Sequence, residues 1–187
     1  MKKQHIIRGG IILSIISVLT VPAFAEIKTV SLRVDGLSCP FCALGLEKKL
    51  KKVESVSGVN VHMKKALTDL TLKPQSALDL KAIRKAVKEA GFTLKNIDVG
   101  VLGTIIRDNE GFFVLESQGD KTRFILFDKE HSEARAKSLS TQMLGNDIEK
   151  KLLQAQNDGK LVLIQGTIHE HAELPPGLLI NRVEVQQ

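Results

Sequence analysis

The sequence predicts an α+β protein in which a four-stranded antiparallel sheet covered by two helices is followed by a five-stranded β-barrel. Three observations support this prediction. Strand-like and helix-like patterns follow the order β-α-β-β-α-β in the first half of the chain. In the second half they follow the order of three strands, one helix and two strands. Between the first strand and the first helix lie Cys39 and Cys42, which are the only two cysteines in 187 residues.

Residues 1–25 have the pattern of a secretory signal peptide. Basic residues precede an apolar run over residues 11–21, and the small residues Ala23 and Ala25 predict cleavage before Glu26. An uncleaved membrane anchor is the alternative, but the run is shorter than the about 20 apolar residues that a spanning helix needs. Cleavage removes three basic residues and no acid, which lowers the formal net charge from +6 to +3. We therefore predict a periplasmic or secreted protein with no membrane span after cleavage.

Residues 26–99 are predicted to form the first domain. Apolar residues alternate at Val30, Leu32 and Val34, which predicts the first strand. The first helix is predicted by apolar residues at steps of three, four and three, namely Ala43, Leu46, Leu50 and Val53. After a turn at Ser57-Gly58, residues 59–72 read as a hairpin. A second helix, with Ser76 as its N-cap, and a strand over residues 92–99 complete the order. This is the order of ferredoxin-like folds, in which the sheet and the helices bury each other's apolar faces.

The loop between the first strand and the first helix resembles that of a known family. Residues 36–42 read Gly-Leu-Ser-Cys-Pro-Phe-Cys, which is similar to the G-M-T-C-x-x-C loop of heavy-metal-associated domains. This family includes periplasmic mercury-binding proteins and copper chaperones. The resemblance extends to Ala90-Gly91-Phe92 near the last strand of the domain. Leu37 and Ser38 replace the common Met and Thr, and the pair Pro40-Phe41 departs from the family pattern.

The chemistry of Cys39 and Cys42 supports metal binding independently of the resemblance. Both cysteines are predicted to bracket a helix N-terminus, whose free N–H groups and dipole stabilise the thiolate form that binds metals. Pro40 suits the first turn of that helix. Two sulfurs without further ligands nearby suit Cu(I) or Hg(II) better than four-coordinate structural zinc. We expect the protein to bind such a soft metal ion and to hand it to a partner protein by thiol ligand exchange.

Two other functions of the same cysteine pair remain open. Cys-Pro-Phe-Cys is also typical of thioredoxin-like redox pairs, and an exported protein meets an oxidising environment. The predicted β-α-β-β-α-β order favours metal binding over this redox function. A purely structural disulfide is the third possibility, but a bridge across so small a loop removes little entropy from the unfolded chain.

The histidines and Phe92 are weaker candidates. His62 is predicted on the solvated face of its strand. His169 and His171 would lie on one side of a strand, but two ligands without a third are a weak sign of a metal site. Phe92 is predicted to be a core aromatic residue that lies near the cysteine loop.

Residues 100–187 are predicted to form the second domain. Strands are expected over residues 101–107, 112–116, 122–127, 161–169 and 178–185, with a helix over residues 132–156 that is interrupted at Gly145-Asn146. This order resembles the five-stranded barrel of OB folds. Gly103 and Gly166 fall inside strand patterns, where strongly bent barrel strands need glycine.

The second domain carries no diagnostic motif. Basic residues lie near Phe124 and Phe127, but alternation points at least some of the rings inward, so we expect no nucleic-acid partner. Across the chain no nucleophile and base pair, phosphate-binding loop or paired acids is apparent, and we expect the protein not to be an enzyme. A protein-interaction function centred on this domain, with a vestigial metal loop, is the remaining hypothesis.

Overall fold

The computed structural model describes residues 27–129, 143–170 and 175–186. The predicted signal peptide lies outside these residues. The described elements, in chain order, are β1 (Ile27–Asp35), α1 (Pro40–Leu50), β2 (Val56–His62), β3 (Leu67–Leu72), α2 (Leu80–Glu89), β4 (Thr93–Arg107), β5 (Phe113–Ser117), β6 (Arg123–Phe127), α3 (Asn146–Asn157), β7 (Val162–His169) and β8 (Gly177–Val185). None of the helices within these ranges is long and apolar enough to cross a membrane.

The first half of the chain forms the predicted ferredoxin-like layer. Its strands lie in the antiparallel order β2-β3-β1-β4. Alternate residues of β1 face the two helices, and Val30, Leu32 and Val34 are all buried. The helices bury the complementary apolar residues Ala43, Leu46, Leu50, Ile83, Ala86 and Val87. The predicted fold class is confirmed for this half.

Two local predictions in this half are wrong. Asp79, not Ser76, caps α2, because its carboxylate accepts a hydrogen bond from the Ala82 N–H at 2.8 Å. The chain first turns through Gln75, which has a φ of +58°, so the helix begins later than expected. Ser57-Gly58 is not a turn, because both residues lie inside β2, where its register with β3 shifts.

The second half of the chain forms a closed five-stranded barrel. Its strands pair in the cycle β4-β5-β6-β8-β7 and back to β4, with β6 and β8 parallel and the other pairs antiparallel. Four of the five strands have nearly the predicted boundaries, and α3 begins at the predicted interruption, with Gly145 as its N-cap. Most of the residues before Gly145 that were predicted to be helical lie outside the described residues. The OB-like barrel is thus confirmed.

Strand β4 belongs to both layers. The sequence predicts two separate strands on either side of residue 100, but the structure has one strand of 15 residues. Residues 93–101 pair with β1 and residues 103–107 with β5, while residues 98–103 pair with β7 on the other edge. Gly100 does not interrupt the strand, because its lack of a side chain makes room for Thr29, whose Oγ1 lies 2.7 Å from where a Cβ would be. The predicted domain boundary between residues 99 and 100, which falls inside β4, stays a prediction.

Two barrel glycines, Gly103 and Gly166, lie where neighbouring strands approach too closely for a side chain. A Cβ on Gly103 would lie 2.2 Å from the carbonyl oxygen of Glu116, and one on Gly166 would lie 2.4 Å from that of Leu179. Both contacts are with backbone atoms, so relief requires the strands to move. The predicted need for glycine at both positions therefore has a direct steric cause.

Substitution of Gly166 by alanine is expected to lower the free energy of unfolding by about 1–3 kcal/mol, because overpacking forces backbone shifts. Gly45, in the middle of α1, has no atom within 4 Å of a Cβ position. The same substitution at Gly45 is expected to raise the free energy of unfolding by up to about 1 kcal/mol, because alanine favours helix. Urea unfolding of both variants measures the difference, and effects of equal sign would contradict this interpretation.

A second stability prediction concerns Thr68 on β3. This residue is fully buried, and its hydroxyl has no hydrogen-bond partner among the described residues. Substitution by valine keeps the shape and removes an unsatisfied polar group, so we expect a gain of about 1 kcal/mol in the free energy of unfolding. Thr71 is exposed on the same strand. Thr71→Val is the control and should change stability by less than about 0.5 kcal/mol; an equal gain there would point to strand propensity instead.

Candidate functional site

The cysteine loop is held between the end of β1 and the start of α1. Gly36 has a φ of +96°, a conformation that favours glycine, and its Cβ position lies 3.3 Å from the Phe92 ring. Leu37 is buried and anchors the loop to the core. Phe92 is half-buried and packs under the loop, which is consistent with its prediction as an aromatic residue near the cysteines. The loop is therefore fixed at its base.

The sequence forms a capped helix start at the two cysteines. Cys39 is the N-cap of α1, with extended backbone angles, and its Sγ accepts a hydrogen bond from the Cys42 N–H at 3.1 Å. Pro40 follows at the first helical position, where its fixed φ fits and no N–H is needed. This is the helix-terminus placement that the sequence predicts for both cysteines, and it accounts for the presence of Pro40.

Cys39 and Cys42 are joined in a disulfide, with their Cα atoms 5.2 Å apart. Both residues are partly exposed to solvent. The structure thus describes the oxidised form of the pair. Two electrons and two protons convert the disulfide into two thiols, and loss of the thiol protons gives the thiolates that bind metals.

The charges on α1 do not oppose thiolates at its N-terminal end. The first turn contains no acidic residue, and Lys48 and Lys49 lie in the last turn.

The Lys49 ammonium lies 3.1 Å from the Glu89 carboxylate on α2, and this hydrogen bond holds the pKa of Glu89 below its usual value. The contribution of this pair to stability is therefore complete at neutral pH and is lost as the pH falls through the lowered pKa.

The histidines do not extend the cysteine site. His62 ends β2 with its Nε2 2.8 Å from a carboxylate oxygen of Asp69, and Asp69 also accepts a hydrogen bond from Ser31. This supports the predicted polar sheet face. His169 packs edge-on against Phe127, while His171 lies outside the described residues. Within those ranges no three His, Cys, Asp or Glu side chains are grouped as a metal site requires.

The sequence interpretation missed one feature of the site, which is the exposure of apolar residues beside it. Phe41 is 84% exposed and Leu44 is 50% exposed, and both lie on α1. The sequence does contain a sign of this exposure. Leu44 lies two positions before the buried Leu46, and therefore on the opposite side of the helix. The unusual Pro40-Phe41 pair thus combines a helix start with an exposed ring.

Known proteins match the part of the chain that contains this site. The sequence profile of the heavy-metal-associated domain matches residues 31–93. A mercuric transport protein periplasmic component from Shigella flexneri is 35% identical over 71 residues, which are 38% of this chain and 77% of that protein. The chain belongs to the heavy-metal-associated domain family. Another protein of the same description, from Shewanella putrefaciens, is 34% identical over 86 residues, which are 45% of this chain and 93% of that protein.

A solved structure also aligns with the heavy-metal-associated domain. It is the crystal structure of oxidized MerP from Ralstonia metallidurans CH34, which is 29% identical and covers 36% of this chain and 93% of its own, with a TM-score of 0.33. The profile match to the family ends at Thr93, the first residue of β4. The barrel therefore follows the part of the chain that this profile describes.

The capping role of Cys39 can be tested in the reduced protein. A serine hydroxyl accepts the same hydrogen bond from the Cys42 N–H, whereas alanine cannot. We expect Cys39→Ala to unfold at lower urea concentration than Cys39→Ser, with a difference of about 1 kcal/mol in the free energy of unfolding. Neither variant can form the Cys39–Cys42 disulfide, and excess reductant prevents disulfides between two chains through Cys42. Equal stabilities of the two variants would show that the cap contributes nothing.

Proposed function

We propose that the reduced protein binds one soft metal ion between the thiolates of Cys39 and Cys42. The observation that carries this proposal is the position of both sulfurs at the N-terminus of α1, where the dipole and the free N–H groups favour negative charge. The pair lies within the residues that match the heavy-metal-associated domain. Hg(II) is the first candidate, because the relatives reported above are described as mercuric transport proteins, and Cu(I) is the second.

We further propose that the protein carries or sequesters the ion and transfers it by ligand exchange. A two-coordinate ion leaves room for an incoming thiolate, so bonds to a partner's sulfurs can form before the bonds to Cys39 and Cys42 are fully broken. The signal-peptide pattern of residues 1–25 and the periplasmic relatives support a periplasmic location. In this proposal residues 26–99 bind the metal, while the barrel of residues 100–187 has a separate role.

The disulfide adds a requirement to this proposal. Metal binding and the Cys39–Cys42 bond exclude each other, because both use the same two sulfur atoms. The oxidised protein must first receive two electrons, for which a dithiol is the natural donor, since exchange with a second dithiol moves the disulfide to the donor. The amount of reduced protein therefore sets the capacity for metal.

A thiol–disulfide redox function is the second candidate, and the disulfide is the observation that favours it. A thiolate at a helix N-terminus is a good leaving group as well as a good ligand. The two functions differ in their products. A carrier releases a metal ion and keeps its cysteines reduced, whereas a redox protein leaves each exchange with a substrate with its cysteines in the other oxidation state.

Native mass spectrometry of the reduced chain titrated separately with Hg(II), Cu(I) and Zn(II) tests the proposal. We expect one Hg(II) or Cu(I) ion per chain and weaker retention of Zn(II), because two thiolates leave zinc short of its usual four ligands. The double variant Cys39→Ser, Cys42→Ser should retain no soft metal, although serine keeps the helix cap.

The matched control is His62→Ala, which removes a potential ligand outside the loop and should leave the bound stoichiometry unchanged. Wild-type protein that retains no soft metal, yet oxidises or reduces a model disulfide, would support the redox function and reject the carrier. Retention of metal by the double variant would place the ligands elsewhere in the chain.

A further inference from the structure

Strand β2 lies at the open end of the described sheet. Every other described strand pairs with at least two neighbours, whereas β2 pairs with β3 alone. The barrel closes the opposite end of the sheet, because β7 returns to β4. In an antiparallel pair, alternate residues direct their N–H and C=O groups to the neighbour, and the residues between direct theirs outward. Strand β2 therefore presents backbone groups that can pair with a further strand.

The sequence of β2 lacks the residues that usually protect such an edge. It reads Val-Ser-Gly-Val-Asn-Val-His, with no lysine, acidic residue or proline. Among the described strands, residues 93–97 of β4 also have a partner on one side only, but that segment contains Lys95. The free edge without a charged side chain is therefore that of β2.

The start of β2 is fixed and limits where a new strand can pair. The register with β3 shifts between Val56 and Gly58, and the Ser57 hydroxyl between them bonds to two carbonyl oxygens of β3. Beyond this irregularity the pairing with β3 is regular to the end of the strand. The part of β2 that can accept a new strand is thus residues 58–62.

This five-residue segment is complementary to its own antiparallel copy. About a two-fold axis at Asn60, Val59 of one copy lies opposite Val61 of the second copy, on the face that packs against the core. His62 lies opposite Gly58 of the second copy, where the missing side chain leaves room for the imidazole. The two Asn60 amides meet at the axis, where each can donate to and accept from the other. No charged side chain in the segment faces a like charge.

We propose that two copies of this chain form a dimer through β2, with residues 58–62 paired antiparallel about a two-fold axis at Asn60. Both copies use the same surface, so the interface is isologous and closes with two chains. The two sheets then become one, and the half-exposed Val59 and Val61 are covered. The interface contains no atom of the cysteine loop, so this inference does not rest on the proposed function.

The structure favours a second copy over an unstructured peptide as the occupant of this edge. A flexible peptide loses backbone freedom when it becomes a strand, whereas β2 of a second copy is already ordered. A shift of the register by one residue would place valine opposite asparagine or glycine and on the wrong face of the sheet. The alternation of β2 therefore supports the axis at Asn60.

The dimer keeps the two cysteine loops apart. Arg33, near the end of β1, and His62, at the end of β2, both lie opposite Leu67 of β3, so the loop follows β1 at the end of the sheet where β2 also ends. Antiparallel pairing about Asn60 separates the two His62 residues by about 13 Å along the strands, and the loops lie beyond them. One ion bonds to sulfur at about 2.3 Å, so it cannot bridge both loops of this dimer.

Sedimentation equilibrium of the reduced, metal-free chain of residues 26–187 tests the proposal. We expect wild type to show a monomer–dimer equilibrium. Asn60 is exposed, and Asn60→Lys brings two ammonium groups together at the axis. This variant should raise the dissociation constant of the dimer at least about tenfold, because like charges that face each other across an interface cost several kcal/mol. Wild type that stays monomeric up to about 1 mM would overturn the proposal.

Two controls identify the surface and exclude a metal bridge. Asn96→Lys makes the same change at an exposed position of β4 and should leave the dissociation constant unchanged. An equal loss of dimer in Asn96→Lys would reject β2 as the interface. The double variant Cys39→Ser, Cys42→Ser should dimerise as wild type does. A dimer that appears only with Hg(II) and is absent from the double variant would be bridged by metal and would contradict the pairing through β2.

Cross-linking in the same double variant tests the axis. With Asn60→Cys added, oxidised glutathione should join two chains, because residues opposite each other on paired strands lie about 5 Å apart, within the reach of a disulfide. His62→Cys is the matched variant on the same face and should remain uncrosslinked, since about 13 Å is too far. Faster cross-linking of His62→Cys than of Asn60→Cys would reject the axis at Asn60.

A synthetic peptide addresses the other occupant of the edge. The peptide of residues 56–62 is added to wild type, and binding is measured by fluorescence anisotropy of a label on the peptide. Monomeric wild type that binds this peptide would assign the edge to an extended segment of another protein and overturn the second copy. Dimeric wild type should bind the peptide more weakly than Asn96→Lys that has been diluted to the monomer, because dimer and peptide compete for one edge.

Discussion

The continuity of β4 is the constraint on which the rest of the structure depends. Its 15 residues pair with β1 and then with β5 along one edge, and with β7 along the other. In an isolated four-stranded layer β4 would be an exposed edge strand, which is prone to unwanted pairing. Here β7 covers residues 98–103 of that edge, and the barrel closes on the same strand. The ferredoxin-like layer and the barrel are therefore joined through β4, which belongs to both.

This arrangement also fixes the cysteine loop. β1 is the strand that leads into the loop, and it lies between β3 and β4, so the ladders on both edges hold it. Phe92, immediately before β4, packs against Gly36 at the base of the loop. Strand β4 thus supports the site from two directions, through its pairing with β1 and through the residue that precedes it. The thiol chemistry is confined to a short segment whose two ends are both fixed.

Much of this fold follows from local patterns, and the exceptions have tertiary causes. The alternation of Val30, Leu32 and Val34 predicts β1, because one face of the strand must be buried. The sequence predicts separate strands on either side of Gly100, and the approach of Thr29 explains why glycine lies inside one continuous strand. The pairing of Cys39 with Cys42 could not be predicted from their spacing alone. That spacing is compatible with a metal site, a redox pair and a disulfide, and whether the bond forms depends on the oxidation state of the surroundings.

The position of the barrel leaves the α1 side of the first layer accessible. Helix α2 packs on β4, and Arg84 on α2 forms an ion pair with Glu170, just after β7. Helix α1 packs against α2 and β2, and is therefore displaced from the edge where β7 joins the sheet. The barrel therefore joins the sheet at one edge, while the cysteines lie on the helix nearer the other edge.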